Sequence, residues 1–157
     1  MNSGAVARPW TDHLTPIRVL IADPDESLLA AYRKLLRKDF EVVTAPNALK
    51  CVRRLREGVP AVLVLEPQLP GGGGAVVLAV MRDEPRLSLV PVMIITACRD
   101  PRILSSVAPF PISDYRVKPL PAAHLATRIH RLLEHRRMRF DRSDLRSQAA
   151  EWPRNQQ

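Results

Sequence analysis

The stretch AVLVLEPQLPGGGG, residues 61–74, decides the fold of this chain. Its first five residues are apolar without alternation, which in so short a run is typical of a strand buried on both faces of a helix-covered parallel sheet. Glu66 follows directly, and ligands of open α/β sheets bind outside the carboxyl ends of the strands. Glu66 is therefore the first candidate functional residue. The glycines after Pro70 allow positive φ and a close approach of the backbone to another group.

Four more short apolar segments alternate with helical patterns along the chain. The predicted strands are residues 18–22, 40–45, 61–65, 92–96 and 114–117. The predicted helices are residues 28–36, 48–57, 75–82, 102–107 and 122–137. In the first helix the predicted inner positions are Leu28, Tyr32, Leu35 and Leu36. Five alternations predict a doubly wound three-layer α/β sandwich with right-handed crossovers.

A chain of 157 residues is long enough for one domain with looser ends. We expect a disordered leader at 1–16, the folded domain at 17–137, and a basic helical extension with a flexible tail at 138–157. No segment has the pattern of a signal peptide or a membrane span, which predicts a cytoplasmic protein. Cys51 and Cys98 fit small buried groups in a reducing compartment.

The formal net charge is +8, and most of the basic residues are arginines. Such a charge favours anionic partners without identifying them. The basic residues after position 135 are compatible with nucleic-acid binding, but also with a solvated helical extension. The aromatic residues that single-stranded nucleic acid requires are few there, namely Phe140 and Trp152. Nucleic-acid binding is therefore the less favoured of the two interpretations.

Polar side chains follow four of the predicted strands. Because the carboxyl ends of parallel strands meet at one edge of a sheet, these residues are expected to lie together. A group of carboxylates, a hydroxyl and an ammonium can handle a phosphoryl group. The residues are Asp23 and Asp25 after the first strand, Glu66 after the third, Thr96 at the end of the fourth and Lys118 after the fifth.

Four segments together resemble the receiver domain of the bacterial two-component response regulators. They are VLIADPD, LVLEPQLPGGGG, PVMIITA and DYRVKPL, and the resemblance extends over about residues 18–137. It implies a flavodoxin-like sandwich of five parallel strands in the order 2-1-3-4-5. It also implies a role in two-component signal transduction and phosphorelay, as a signalling module rather than an enzyme.

The resemblance also implies roles for single residues. Thr96 and Lys118 match the positions that bind phosphoryl oxygens, and Tyr115 matches an aromatic residue that changes rotamer with the state of the site. Two positions depart from the family pattern. Glu66 stands where the family has its phosphoacceptor Asp, and Pro24 stands where it has a direct Mg²⁺ ligand beside Asp23.

Both departures act against phosphorylation. Glu66 is one methylene longer than Asp, and a misplacement of about 1 Å costs about 10²-fold in rate. Pro24 has no side-chain oxygen for Mg²⁺, so the metal site at Asp23 is expected to be weak or absent and no cofactor is expected. The predicted function is an atypical pseudo-receiver that acts as a protein-interaction module. One alternative is a phosphorylatable regulator that uses Asp25 or Asp23 around a weakened Mg²⁺ site. The other is a nucleic-acid-binding regulator that acts through the Arg-rich C-terminus.

Two roles remain open for Glu66. Its carboxylate either imitates bound phosphate by contacting Thr96 and Lys118, or it forms an ordinary ion pair in an inert site. The expected partner is a histidine kinase or an output protein, bound through the face formed by residues 102–107, 114–117 and 122–137. Phe110 is either an exposed contact beside Arg102 and Arg116 or part of the core. The sequence does not determine the oligomeric state.

Overall fold

The computed structural model describes residues 15–150, with side chains described up to residue 136. The predicted leader up to residue 14 and the tail from residue 151 lie outside the described residues. In the described part, five strands alternate with helices. The elements are β1 (Arg18–Ala22), α1 (Glu26–Leu36), β2 (Glu41–Ala45), α2 (Ala48–Glu57), β3 (Val62–Leu65), α3 (Gly73–Asp83), α4 (Pro85–Ser88), β4 (Val92–Thr96), α5 (Pro101–Val107), β5 (Asp114–Val117) and α6 (Ala122–Ala150).

The five strands form one parallel sheet in the order β2-β1-β3-β4-β5, which confirms the predicted flavodoxin-like topology. The strands β3 and β4 are buried along their whole length because helices cover both faces of the sheet. Residues of α2, α3 and α5 build the core on one face, and residues of α1 and α6 build it on the other. This arrangement brings the ends of β1, β3, β4 and β5 to one edge.

The inner face of α1 differs from the prediction. Leu29, Tyr32 and Leu36 are buried, whereas Leu35 is 61% exposed and Leu28 is only partly buried. Successive residues of a helix are about 100° apart around its axis. With Leu29, Tyr32 and Leu36 at the centre of the buried face, Leu35 falls on the solvent side of it. The pattern beginning at Leu29 is the one that reaches the core.

The short helix α4 was not predicted from the sequence. Pro85 occupies the first turn of this four-residue helix, which buries Leu87.

The last helix continues through Ala150, beyond the predicted end at residue 137, so most of the predicted basic extension is helical. No helix within residues 15–150 is both long and apolar enough to cross a bilayer.

The glycines after Pro70 adopt the predicted backbone. Gly71, Gly72 and Gly73 have φ of 85°, 108° and 78°. At Gly74 an added β-carbon would lie 3.0 Å from Cα of Pro67, so the backbone of α3 passes close to the residue that follows Glu66. The glycines therefore allow the chain to turn from the carboxyl end of β3 directly into α3.

Phe110 packs partly buried against the α2, α3 and α5 side of the core. The guanidinium carbon of Arg82 lies 5.5 Å from the centre of its ring. Of the two alternatives that the sequence left open for Phe110, the structure therefore favours packing against the core over an exposed contact beside Arg102 and Arg116. The backbone turns after α5, with the amide of Phe110 donating to the carbonyl of Val107 at 3.1 Å, and this turn directs the ring back to the body of the domain.

Candidate functional site

The main chain holds the candidate site residues at the carboxyl edge of the sheet. The amide of Asp23 donates to the carbonyl of Ala45, and the amide of Glu66 donates to the carbonyl of Ala22. The amide of Lys118 donates to the carbonyl of Thr96 at 3.0 Å. The sheet ladder thus continues just past the strand ends. Asp23, Glu66, Thr96 and Lys118 come together there, as the sequence predicted.

Both carboxylate oxygens of Glu66 are engaged by other groups of the chain. The hydroxyl of Thr96 donates to Oε1 of Glu66 at 2.7 Å, and the amide of Gln68 donates to the same oxygen at 3.1 Å. The ammonium of Lys118 lies 2.9 Å from Oε2. Glu66 is 5% exposed and Thr96 is fully buried, so solvent competes little for these contacts.

Lys118 connects the two carboxylates of the site. Its ammonium is 2.5 Å from Oδ2 of Asp23 as well as 2.9 Å from Oε2 of Glu66. Burial by itself lowers the pKa of Lys118, but the hydrogen bonds and charges of Asp23 and Glu66 outweigh it and raise the pKa above its ordinary value. Lys118 therefore remains a cation, shared between two buried anions.

Asp25 does not join this group. Its carboxylate caps α1 by accepting a hydrogen bond from the amide of Leu28 at 3.1 Å, and the residue is exposed. Its own amide donates to Oδ1 of Asp23 at 2.9 Å. An aspartate is a favoured N-cap, so local helix geometry directs Asp25 away from the site. The predicted acidic pocket is therefore formed by Asp23 and Glu66.

Tyr115 lies on the edge strand β5 and is 43% exposed, whereas Thr96 on the neighbouring strand is fully buried. Its predicted change of rotamer stays a prediction. The sequence placed Tyr32 on the inner face of α1 but did not predict its hydrogen bond. Its hydroxyl donates to the carbonyl of Leu120 at 2.7 Å and so connects α1 to the segment after Lys118. Burial raises the pKa of this tyrosine, which keeps the hydroxyl protonated as a donor. No local pattern around Tyr32 indicates a partner so distant in sequence.

The arrangement does not fit a Mg²⁺ ion. Each carboxylate oxygen of Asp23 and Glu66 already faces a donor or an ammonium from this chain. Pro24 contributes no side-chain oxygen, and Asp25 is turned to its helix. Mg²⁺ requires near-octahedral oxygen ligation, which these residues do not offer as they stand. Among the described residues there is no group of three or more His, Cys, Asp or Glu side chains that could hold a metal.

The topology and the cluster at the strand ends define a receiver-type α/β signalling domain. Residues 19–130 match the family model of the response regulator receiver domain, and the chain belongs to this family. Membership is thus established for most of the chain. The resemblance in the sequence is confirmed.

Among curated relatives, the transcriptional regulatory protein PrrA of Mycobacterium tuberculosis is 33% identical over 126 residues, which are 78% of this chain and 52% of PrrA. The sensor histidine kinase TmoS of Ectopseudomonas mendocina is 24% identical over 116 residues, which are 74% of this chain and 12% of TmoS. The chain thus spans about half of one relative and about an eighth of the other.

Solved structures show the same fold. A CheY-like receiver domain protein from Methanospirillum hungatei has a TM-score of 0.72 at 18% identity, over 80% of this chain and 99% of the other. The chemotaxis response regulator CheY4 of Vibrio cholerae has a TM-score of 0.68 at 19% identity, over 76% and 100%. At these identities the similarity concerns the fold alone.

Proposed function

We propose that this chain is an atypical receiver that acts in two-component signalling as a protein-interaction module, without phosphorylation at the acceptor position. The observation that carries the proposal is the set of contacts made by the carboxylate of Glu66. Its carboxylate holds both the hydroxyl of Thr96 and the ammonium of Lys118. These are the two groups that the family resemblance assigns to the phosphoryl oxygens.

A phosphoryl group entering this site would have to displace Glu66 from both partners. Glu66 and Thr96 are buried, so a displaced carboxylate or hydroxyl would lose a hydrogen bond that water could not easily replace. The longer side chain of Glu66 also moves any attacking oxygen away from the position that an Asp would give it. Both arguments act against transfer to Glu66.

Of the two roles left open for Glu66, the contacts favour an internal substitute for phosphate. An ordinary ion pair at a strand end needs only Lys118. Here Thr96 is engaged as well, and the amide of Gln68 donates to the same carboxylate. A carboxylate that accepts from a hydroxyl, an ammonium and a loop amide makes the kind of contacts that a bound phosphate oxyanion makes.

The proposed contact face is formed by α5, β5 and α6. Receiver domains of two-component systems interact with histidine kinases or output proteins, and they are generally non-enzymatic signalling modules. Tyr115 and Val117 support this face because they are 43% and 53% exposed at alternate positions of the edge strand β5. We propose a protein of one of these two kinds as the partner, and no enzymatic activity of the chain itself.

The test is the intact mass of the protein after incubation with a small-molecule phosphodonor and Mg²⁺. The native chain is compared with Glu66→Asp and with the double variant Glu66→Asp, Pro24→Asp. We expect a phosphoryl adduct on the double variant and none on the native chain, because the double variant restores the acceptor and the missing metal ligand. An adduct on the native chain would contradict the proposal and favour a phosphorylatable regulator.

A further inference from the structure

We propose that Lys118 is the resident cation of the acidic pocket, so that its ammonium replaces a divalent metal between Asp23 and Glu66. The inference rests on the proposed function in treating the pocket as filled by the chain's own groups. It adds that the pocket is complete without metal, and that removal of one side chain opens a cation site.

The position of the ammonium carries the first step. Nζ of Lys118 lies 2.5 Å from Oδ2 of Asp23 and 2.9 Å from Oε2 of Glu66. A cation such as Ca²⁺ lies about 2.3–2.6 Å from its oxygen ligands. The ammonium comes this close to Asp23 only and is somewhat farther from Glu66, but it lies between the two carboxylates and contacts both, as a shared cation does.

The remaining oxygens of the two carboxylates carry the second step. Oδ1 of Asp23 accepts from the amide of Asp25 at 2.9 Å. Oε1 of Glu66 accepts from Thr96 and from the amide of Gln68. The anions are therefore satisfied by hydrogen bonds and by one shared cation, as buried charges require.

The charge balance is the third step. A divalent ion entering the native pocket would meet an ammonium whose side chain is only 20% exposed. It would have to expel this ammonium or suffer its repulsion at short range. Pro24 supplies no oxygen to offset either effect. Without the ammonium, Asp23 and Glu66 would face each other unneutralised, which favours uptake of a cation.

The experiment compares the native chain with Lys118→Met, which keeps much of the side-chain volume but removes the charge. Lys50→Met on the exposed surface of α2 is the matched control. Mn²⁺ is the probe, measured by the relaxation of water protons and by the thermal unfolding midpoint. For Lys118→Met we expect Mn²⁺ binding at least about tenfold tighter than for the native chain, which corresponds to about 1.4 kcal/mol. The control should behave as the native chain does.

A folded Lys118→Met that gains no affinity for Mn²⁺ would overturn the inference. If this variant is unfolded without metal, Mn²⁺ should restore its structure, because binding to the folded state alone stabilises it. Failure to restore it also counts against the inference. A second measurement uses the native chain and follows the amide resonances of Asp25 and Gln68 during addition of Mg²⁺. Saturable shifts of both amide resonances would show that the native pocket binds a metal and would contradict the inference.

The two proposals fail in different ways. A phosphoryl adduct on the native chain, together with no uptake of Mn²⁺, contradicts the proposed function and leaves Lys118 as the resident cation. Binding of Mn²⁺ by the native chain without an adduct contradicts the role of Lys118 alone. The first result comes from intact mass and the second from metal binding, so the two are read independently.

Discussion

The ammonium of Lys118 lies 2.9 Å from Oε2 of Glu66, although the strands that precede these residues are not neighbours in the sheet. The strand β4 runs between them, and adjacent strands are about 4.8 Å apart. Lys118 therefore reaches back across the end of β4, where the hydroxyl of Thr96 donates to the same carboxylate. The ammonium of Lys118 also contacts Asp23. Three strand ends are thereby joined through one carboxylate.

Removing the Glu66 carboxylate should destabilise the fold. We expect Glu66→Ala to lower the free energy of unfolding by about 3 kcal/mol, because a buried ion pair and a hydrogen bond to Thr96 are broken together. The control is Glu57→Ala, which removes exposed pairs with Arg53 and Arg54 on α2 and should change stability by less than about 1 kcal/mol. Urea unfolding measures both. Equal losses of unfolding free energy in the two variants would contradict the prediction that the buried contacts of Glu66 stabilise the fold more than exposed ion pairs do.

The hydroxyl of Thr96 has two partners, since it donates to Glu66 and accepts from the amide of Cys98 at 2.9 Å. Thr96→Val keeps the shape but deprives the amide of Cys98 of this acceptor and removes one of the two donors to Oε1 of Glu66. We therefore expect the free energy of unfolding, measured in urea, to fall by about 1–3 kcal/mol. Thr96→Ser keeps the hydroxyl and should recover most of this difference. A serine variant no more stable than the valine variant would indicate that packing of the methyl group, rather than the hydroxyl, is what matters.

The turn before α3 depends on Gly72. Its φ is 108°, and an added β-carbon would lie 2.8 Å from Cγ2 of Val76. Gly72→Ala should therefore lower the unfolding free energy by about 1–2 kcal/mol or more, through both strain and collision. Gly58 is the matched control, because its φ is −171° and an added β-carbon would meet only the flexible end of Arg18. Thermal unfolding of the two alanine variants should show a clear loss only for Gly72→Ala.

Alkaline pH should weaken the fold through Cys51. Burial raises the pKa of this thiol from 9.0 to about 12. The thiol therefore ionises first in the unfolded chain, so its contribution is complete below pH 9 and is lost as the pH rises towards 12. We expect a fall in unfolding free energy on the order of 2 kcal/mol between about pH 9 and pH 11.

The control for this fall is Cys51→Ala, in which urea unfolding should depend less steeply on pH over the same range. Lys118 and Tyr32 also have raised pKa values, so they too make the unfolding free energy fall as the pH rises. The two proteins are therefore compared by the slope of unfolding free energy against pH, not by their absolute stabilities. Identical slopes for the native chain and Cys51→Ala would show that the thiol does not contribute.

The sequence by itself determined the order of the elements and the residues that reach the carboxyl edge. Apolar runs such as VLVL and VMIIT identify buried parallel strands, because only helix-covered strands can be apolar on both faces. Parallel strands share the position of their carboxyl ends, so Asp23, Glu66, Thr96 and Lys118 had to lie near one another. The departure at Glu66 from the family pattern was also visible in the sequence, since it is a matter of residue identity.

Only the tertiary structure decided which of these groups touch. Asp25 belongs to the same segment as Asp23, but the start of α1 takes its carboxylate as an N-cap. Phe110 turns to the core because the backbone after α5 closes on Val107. The sharing of Lys118 between Asp23 and Glu66 depends on the separation of three strands and on the length of one side chain. Such distances arise from packing in three dimensions, and no periodicity along the chain encodes them.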